Sequence, residues 1–519
     1  MNRIHRKSAI AKTAAVILEA HEQGATLLWD RYEQQVPLCA FTANGLSCRK
    51  CFHGPCRINP FGDEPRFGVC GADRSQIVME NLFQATFQGV LETARILPLF
   101  GEANPGGEFP DVAQDLPEAT RRDFLAKGLL PVRAEQIYAV ANSYFAHENY
   151  LNRTLTDLMR LGLIHYGFLK KMEGLAGRSA GAPSFDPAGA QLLIVGQPSL
   201  AFMQGLRRKA EKHPEGQGLN IWVQGSKALT SGLTLADQGS PEFALAMKAD
   251  ALAIMPDAVQ PGLAELARKF GIPVIWIDET KPLEEVSAQA VDAAFAHRRS
   301  APPGAASPLH PLPSLPQGEN ILENGAKIRE DLKTGRLGGV LVILGEANVK
   351  QAFFERTLEL LEKTIPQNVL VLLGGEVGAQ SEFLREELSR RLSAAGAAGG
   401  GGDWPLVQFG LQEIPRVIAF LKEIGQGKGF STLPVVVAFP EFFRAATWAT
   451  AVTFLALGFA VQIGAPLPFW GSAALTEILL KEWPKVSGGA LLASPSLASG
   501  QRQAEEILSY LEARAQKQG

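Results

Sequence analysis

Cysteine is missing from almost the whole chain: none occurs before residue 39 and none after residue 70. A disulfide framework is therefore excluded, since such scaffolds are short domains unable to build a core, whereas 519 residues at 46% apolar can build several. Charge of one sign is also lacking. The net charge is −3, and no basic cluster with interleaved aromatics occurs, so no nucleic-acid partner is expected. No G-x-G-x-x-G follows a β-rich run and no G-x-x-x-x-G-K-[ST] is present, which leaves a bound nucleotide without support. The nearest approach, LLGGEVGA, sets Glu376 where a phosphate loop needs an amide with no anion beside it. Residues 1–20 carry Arg3, Arg6, Lys7 and Lys12 but no long apolar core ending in a cleavage site, so a reducing cytoplasmic location is expected. One uncharged run, the 19 residues from Ala445 to Ile463, approaches the length of a membrane span. Thr447, Thr450, Thr453, Gly458 and Gln462 interrupt it and Gly464 and Pro466 close it. The run reads as a buried helix and strand, and no membrane span is expected.

What is present is concentrated in SCRKCFHGPCRINPFGDEPRFGVCGA, where Cys48, Cys51, Cys56 and Cys70 form C-x2-C-x4-C-x13-C, with Cys39 just upstream. Four thiols in 23 residues point to a metal. They suit either tetrahedral zinc or a [4Fe–4S] cube, and zinc ribbons usually pair two separate C-x2-C knuckles where this chain has one. Gly54, Pro55, Gly68 and Gly71 supply the tight turns and close backbone approach that a bulky cluster needs, so iron–sulfur is the favoured reading. Four cysteines already complete a cube. His53 inside the loop is therefore read as a hydrogen-bond donor or a solvent-facing residue, and Arg49 and Arg57 as flanking positive charge or ordinary salt-bridge partners.

The wording CRKCFHGPCRI...GVCGA resembles the N-terminal cluster segment of anaerobic nickel–iron carbon monoxide dehydrogenases, and more distantly the hybrid-cluster proteins. The likeness continues in order through LLIVGQPSLAF, ADALAIMPDAVQPGLAELARKFGIPVIWIDE, GGVLVILGEANVK, NVLVLLGGEVGA and LPVVVAFPEFFRAATWATAVTFLALGFAVQIGAPLPFWGSAALTEIL. It implies that Cys48, Cys51, Cys56 and Cys70 ligate an electron-transfer [4Fe–4S] cluster, one per subunit. Cys39 matches the first of two further cysteines that hold a cluster shared across the family's dimer axis, and Ser47 stands at the second. A homodimer, or a heteromer with another redox protein, is thereby implied.

The resemblance also exposes a loss. The family's catalytic nickel–iron–sulfur cluster takes one His and five Cys, and by register these fall on Gln197, near Gln224, on Ala258, Glu346 and Glu376, and near Gln412. The proton-relay histidines of the family are missing from NLFQATFQGVLETARIL as well. Sulfide-bridged clusters are held by thiolate and scarcely by carboxamide, so no nickel cluster and no carbon monoxide oxidation by the usual mechanism are expected. Gln197, Gln224, Glu346 and Glu376 each follow the C-terminal end of a β-rich run, where open α/β sheets place ligand crevices. They are the candidates for a rebuilt cleft that takes a hard metal or a polar ligand, or they fill a cavity that lost its cofactor, with the glutamates held by cations or helix N-termini. His147 and His165 lie on expected helices and receive no role.

Apolar spacing in AAVILEAHEQGATLLWDRYEQQ and NYLNRTLTDLMRLGLIHYGFLKKM marks residues 1–185 as a helical domain carrying the cysteine loop at 39–70. From residue 186 short β-rich runs alternate with helices, LLIV, NIWV, ALAIM and PVIWI in residues 186–300, and VLVIL, VLVLL, LVQF, PVVVAF and AVQI in residues 321–519. That is the signature of parallel βαβ units, and the expected fold is α/β, a helical cluster-bearing domain followed by two Rossmann-like parallel domains. APPGAASPLHPLPSLPQ, within the 301–320 segment, reads as a linker between them. The expected function is that of a dehydrogenase-like scaffold keeping its electron-transfer cluster as a relay, structural or regulatory subunit. The alternative is an oxidoreductase with altered chemistry in the former cleft, or with residual dehydrogenase or hydroxylamine-reductase-type activity.

Overall fold

A computed structural model describes residues 7–9, 11–61, 63–100, 106–145, 151–173, 186, 188–196, 198–214, 218–224, 234–235, 249–256, 258, 261–278, 280–300, 324–394, 406–409, 413–426, 428–464, 467, 470–493 and 499–517. The proline-rich 301–320 segment lies outside these residues.

Among the described residues, three sheets organise the fold. A two-stranded antiparallel ribbon, β1 (Ser47–Cys48) and β2 (Cys56–Arg57), sits in the cysteine loop. The second sheet runs in the order β5-β4-β3-β6-β7, built from β3 (Ala190–Val195), β4 (Leu219–Gln224), β5 (Thr234–Leu235), β6 (Ala251–Ile254) and β7 (Val274–Trp276). The third runs β10-β9-β8-β11-β12-β13, from β8 (Gly339–Ile343), β9 (Val369–Gly374), β10 (Leu406–Phe409), β11 (Val435–Phe439), β12 (Ala460–Ile463) and β13 (Ala490–Ala493). Every pair in the two larger sheets is parallel. Each sheet starts centrally, winds outward to one edge, then returns to the first strand and winds the other way, which is the Rossmann order.

Parallel strands buried on both faces must be apolar at consecutive positions, and here alternate residues serve different cores. Val340 and Val342 of β8 join the core formed with the N-terminal helices, whereas Leu341 and Ile343 join one shared with Leu193, Val195, Leu252 and Ile254 of the second sheet. The N-terminal residues Ile17, Leu27 and Trp29 complete that second core, so the two sheets are packed through the start of the chain. Leu192 and Ile194 face a third core, closed by helices Leu200–Lys212 and Leu283–Ser300.

The uncharged run proves to be the helix Ala445–Leu457 followed by β12, and both are buried. At 13 residues the helix is roughly 20 Å long, and no described helix is long and apolar enough to cross a membrane. It packs against helices Arg74–Ala94 and Leu151–Glu173 through glycines. A Cβ on Gly89 would stand 2.1 Å from the Ala445 carbonyl oxygen, and one on Gly162 would stand 2.8 Å from that of Val452. At this crossing the buried His165 ring bridges the other two helices, with Nε2 2.9 Å from Thr93 Oγ1 and Nδ1 2.8 Å from Thr453 Oγ1. This meets every polar group of the ring in the core and gives His165 a structural role.

Because carbonyl oxygens on a rigid helix cannot yield as a flexible side chain would, Gly89→Ala is expected to cost about 1–3 kcal/mol, as overpacking does. A lower urea midpoint than wild type checks this; an unchanged midpoint would show that the helices separate freely.

Candidate redox-cluster site

Local backbone chemistry brings the four thiols of the loop together. Cys48 and Cys56 are cross-strand partners in the β1–β2 ribbon, which places them opposite one another, and Cys51 lies in the turn between the strands. Gly54 is required in that turn: a Cβ there would come within 3.1 Å of Cys56 N and 3.3 Å of Cys48 O. Cys70 arrives from a second turn in which Gly68 N–H donates to Ala72 O at 2.9 Å and Gly71 adopts a φ of 88°. Immediately after it a capping box starts the Arg74–Ala94 helix, with Gln76 N–H donating to Asp73 Oδ1 and Asp73 N–H to Gln76 Oε1. Asn81, on that helix, donates to Gly45 O and Ser47 O and ties the ribbon to it.

Cys48, Cys51, Cys56 and Cys70 thus line a single pocket, completed by Lys50, Gly54, Gly68, Ala72, Ile77 and Glu80. Val69 N–H points at Cys56 Sγ across 3.5 Å. Burial pushes the Cys48 thiol up, a backbone hydrogen bond at Lys50 opposes this, and the Glu80 charge adds to the rise. Phe52, Phe67 and Val69, next in the chain to the lining residues Cys51 and Gly68, are exposed, and so is Cys70 itself. His53, Arg49 and Arg57 point outward, the last with its guanidinium 5.5 Å from the Phe41 ring centroid. Lys50 and Glu80 were not singled out by sequence. The available signal was an acidic residue one turn after the buried Ile77, on a helix that begins four residues past the last cysteine.

Cys39 lies outside the pocket and is exposed. The Thr42 hydroxyl stands 3.6 Å from Cys39 Sγ and 3.4 Å from Ser47 Oγ, so the two positions share one hydrogen-bonded neighbour. Hydrogen bonds from Thr42 hold the Cys39 thiol below its usual value.

Of the six positions matched to the family's catalytic ligands, four fall on described residues, each at or beyond a strand end of the two large sheets. Gln224 closes β4 opposite Val195, and Ala258 lies beyond β6. Gln197 and Gln412 lie outside the described residues, as does the Gln224 side chain. Ile343 pairs with Leu373, and Glu346 and Glu376 each stand three residues further on, so the two glutamates follow neighbouring strands at corresponding points. Glu376 falls in the first turn of the short helix Gly375–Ala379. The Glu346 carboxylate is already committed: it accepts Phe443 N–H at 3.2 Å, Arg444 N–H at 3.4 Å and the Thr447 hydroxyl, all at the N-terminus of the Ala445–Leu457 helix. A wholly buried neighbour, Glu441, does the same for helix Glu355–Thr364, accepting from Phe354, Arg356 and Thr357 N–H at 3.0, 2.9 and 3.3 Å. Both carboxyl groups accept from N–H groups at helix N-termini that no helix turn can reach.

A family model described as Prismane/CO dehydrogenase family matches residues 46–96 and 274–497, more than half of the chain and inclusive of all four pocket cysteines. The chain belongs to that family. Carbon monoxide dehydrogenase 2 of Carboxydothermus hydrogenoformans is 24% identical to it over 93% of this chain and 94% of the relative. Carbon monoxide dehydrogenase 1 of the same organism reaches 49% identity over 70 residues, 14% of this chain and 11% of the relative. Among solved structures, carbon monoxide dehydrogenase IV of C. hydrogenoformans superposes with a TM-score of 0.78 at 19% identity, covering 97% of this chain and 98% of its own. A Ni-free carbon monoxide dehydrogenase of Thermococcus sp. AM4 gives 0.79 at 18% identity, covering 99% and 98%. These likenesses establish the α/β fold along nearly the full chain.

Two outcomes follow from the capping glutamates. Glu346→Ala is expected to lower stability by about 1–3 kcal/mol, because buried N–H donors lose their acceptor, and to leave iron content unchanged. Loss of bound metal with unaltered stability would instead make Glu346 a ligand. Burial pushes the Glu441 carboxyl up to about 8 against the N–H donors that favour its anion. Folding thus favours the protonated form: the contribution is complete below pH 4.5 and is lost as pH rises through about 8. Glu441→Gln should flatten that part of the pH profile, measured as urea midpoints from pH 4.5 to 8.

Proposed function

We propose that Cys48, Cys51, Cys56 and Cys70 hold one [4Fe–4S] cluster per chain. On this reading the protein is a carbon monoxide dehydrogenase-like iron–sulfur protein that keeps an electron-transfer cluster and lacks the nickel–iron–sulfur catalytic one. It acts as an electron-transfer, structural or regulatory subunit, in the cytoplasm, as a homodimer or with another redox protein.

The observation that carries the reading is the convergence of four thiols, from a ribbon and a glycine turn, on a single pocket. One C-x2-C knuckle followed by two single cysteines matches a cube better than a zinc ribbon, which usually pairs two such knuckles. The cradle fits in other respects: Gly68 lies beside the Cys56 sulfur, where a Cβ would stand 3.6 Å from Sγ, and the Val69 N–H points at Cys56 Sγ. A cluster held there supplies one-electron transfer. Exposed Phe52, Phe67 and Val69 give a partner an apolar contact next to the pocket, a short path for an electron. The second half of the reading is supported by composition: cysteine is confined to residues 39–70, and Gln, Ala and Glu stand where the resemblance sets the catalytic ligands. Soft sulfide-bridged metals have no anchor in such residues.

Anaerobic purification followed by iron, sulfide, nickel and zinc analysis tests both halves. About four irons per chain and no nickel is the expected result, four being the content of one cube. Stoichiometric nickel would overturn the loss of the catalytic cluster, and stoichiometric zinc without iron would overturn the cube. Cys51→Ala should abolish the iron-based visible absorption; full iron retention in that variant would remove Cys51 from the ligand set.

A further inference from the structure

The pocket wall contains two formal charges besides the thiols, and they are paired. Lys50 Nζ lies 2.8 Å from Glu80 Oε1, with the side chains only 9% and 13% exposed. Lys50 stands between Cys48 and Cys51 in the chain, and Glu80 reaches in from the Arg74–Ala94 helix, beside Asn81, which anchors the ribbon.

We propose that Lys50 and Glu80 act on the reduction potential of the cluster in opposite directions, Lys50 raising it and Glu80 lowering it, so that the pair holds the two effects in balance. This rests on the cluster assignment above. Stability alone is a poor reason for such a pair, since buried ion pairs gain little over well-packed apolar residues, and the neighbouring wall residues Ala72 and Ile77 are apolar. Position gives a better one. Reduction adds one negative charge to the pocket, and charges fixed in its wall act on that charge through a medium less polar than water. The ammonium favours the added electron and the carboxylate opposes it. Exposed Arg49 and Arg57 face solvent and salt, which screen them, so they contribute less. Because the two charges nearly cancel, removing either one leaves the other acting alone.

The test is a spectroelectrochemical titration of the anaerobically purified full chain, with iron analysis of each variant. Lys50→Met is expected to make reduction at least tenfold less favourable, about 59 mV downward for a one-electron couple, and Glu80→Gln to shift it upward by a similar factor. Lys50→Met combined with Glu80→Gln should return near wild type, and Lys50→Arg, which keeps the charge, should hold the wild-type value. Unchanged potentials in variants with full iron would overturn the proposal while leaving the cluster assignment standing. Shifts of both single variants in the same direction would overturn it too, since loosened packing and not charge would then be at work. If Lys50→Met loses iron, the Glu80→Gln shift decides. A wild-type chain without iron would fail at the earlier step and take this inference with it.

Discussion

The close crossing of the Ala445–Leu457 helix with helices Arg74–Ala94 and Leu151–Glu173 is the contact on which the cysteine pocket depends. It works because Gly89 and Gly162 carry no Cβ, which lets helix backbones approach to distances that any side chain would forbid. His165 then joins Thr93 to Thr453 across the same junction, so the apolar contact carries a polar rivet with its groups satisfied. One end of the Arg74–Ala94 helix presents Glu80 and Asn81 to the cysteine ribbon while its other end lies in this crossing. The pocket is thereby referred to the six-stranded sheet, not to a surface loop.

The sheets follow from a simpler rule. Central strands such as β8 and β11 are apolar at successive positions because both faces are covered, and the alternation assigns neighbouring residues to different cores. Two buried carboxyl groups beyond strand ends stand where a helix begins. These are Glu346 and Glu441: each supplies an acceptor to N–H groups that no helix turn can reach, and each occupies a site that would otherwise invite interpretation as a ligand.

Much of this was legible in sequence. The strands from LLIV through AVQI are where β-branched runs and flanking turn residues placed them, and Ala445–Ile463 is the buried helix and strand that its threonines and glycine implied. The cysteine spacing pointed to a shared pocket. Other features were not visible. β13, ALLA, has no β-branched or aromatic residue to announce a strand, and the β1–β2 ribbon has two residues per strand, which leaves no periodicity to read. The role of Glu346 depends on a hydrogen bond to residues about a hundred positions away, and the Lys50–Glu80 pair on a contact thirty positions apart. Opposite charges at such separations are common along any chain, and folding alone selects which of them meet. His165 looked like one more lone histidine until three helices closed around it.

The frame of the cysteine loop also reaches far along the chain. Ser75, at the start of the helix after Cys70, hydrogen-bonds Ser472 at 2.7 Å across a separation of 397 residues, and Gly471 N–H donates to Asn44 O at 3.1 Å. During synthesis the thiols emerge several hundred residues ahead of the residues that brace their loop. Until that contact forms the loop is an open, unbraced set of thiols, so the shape of the cysteine pocket is a product of long-range folding and not of its own segment.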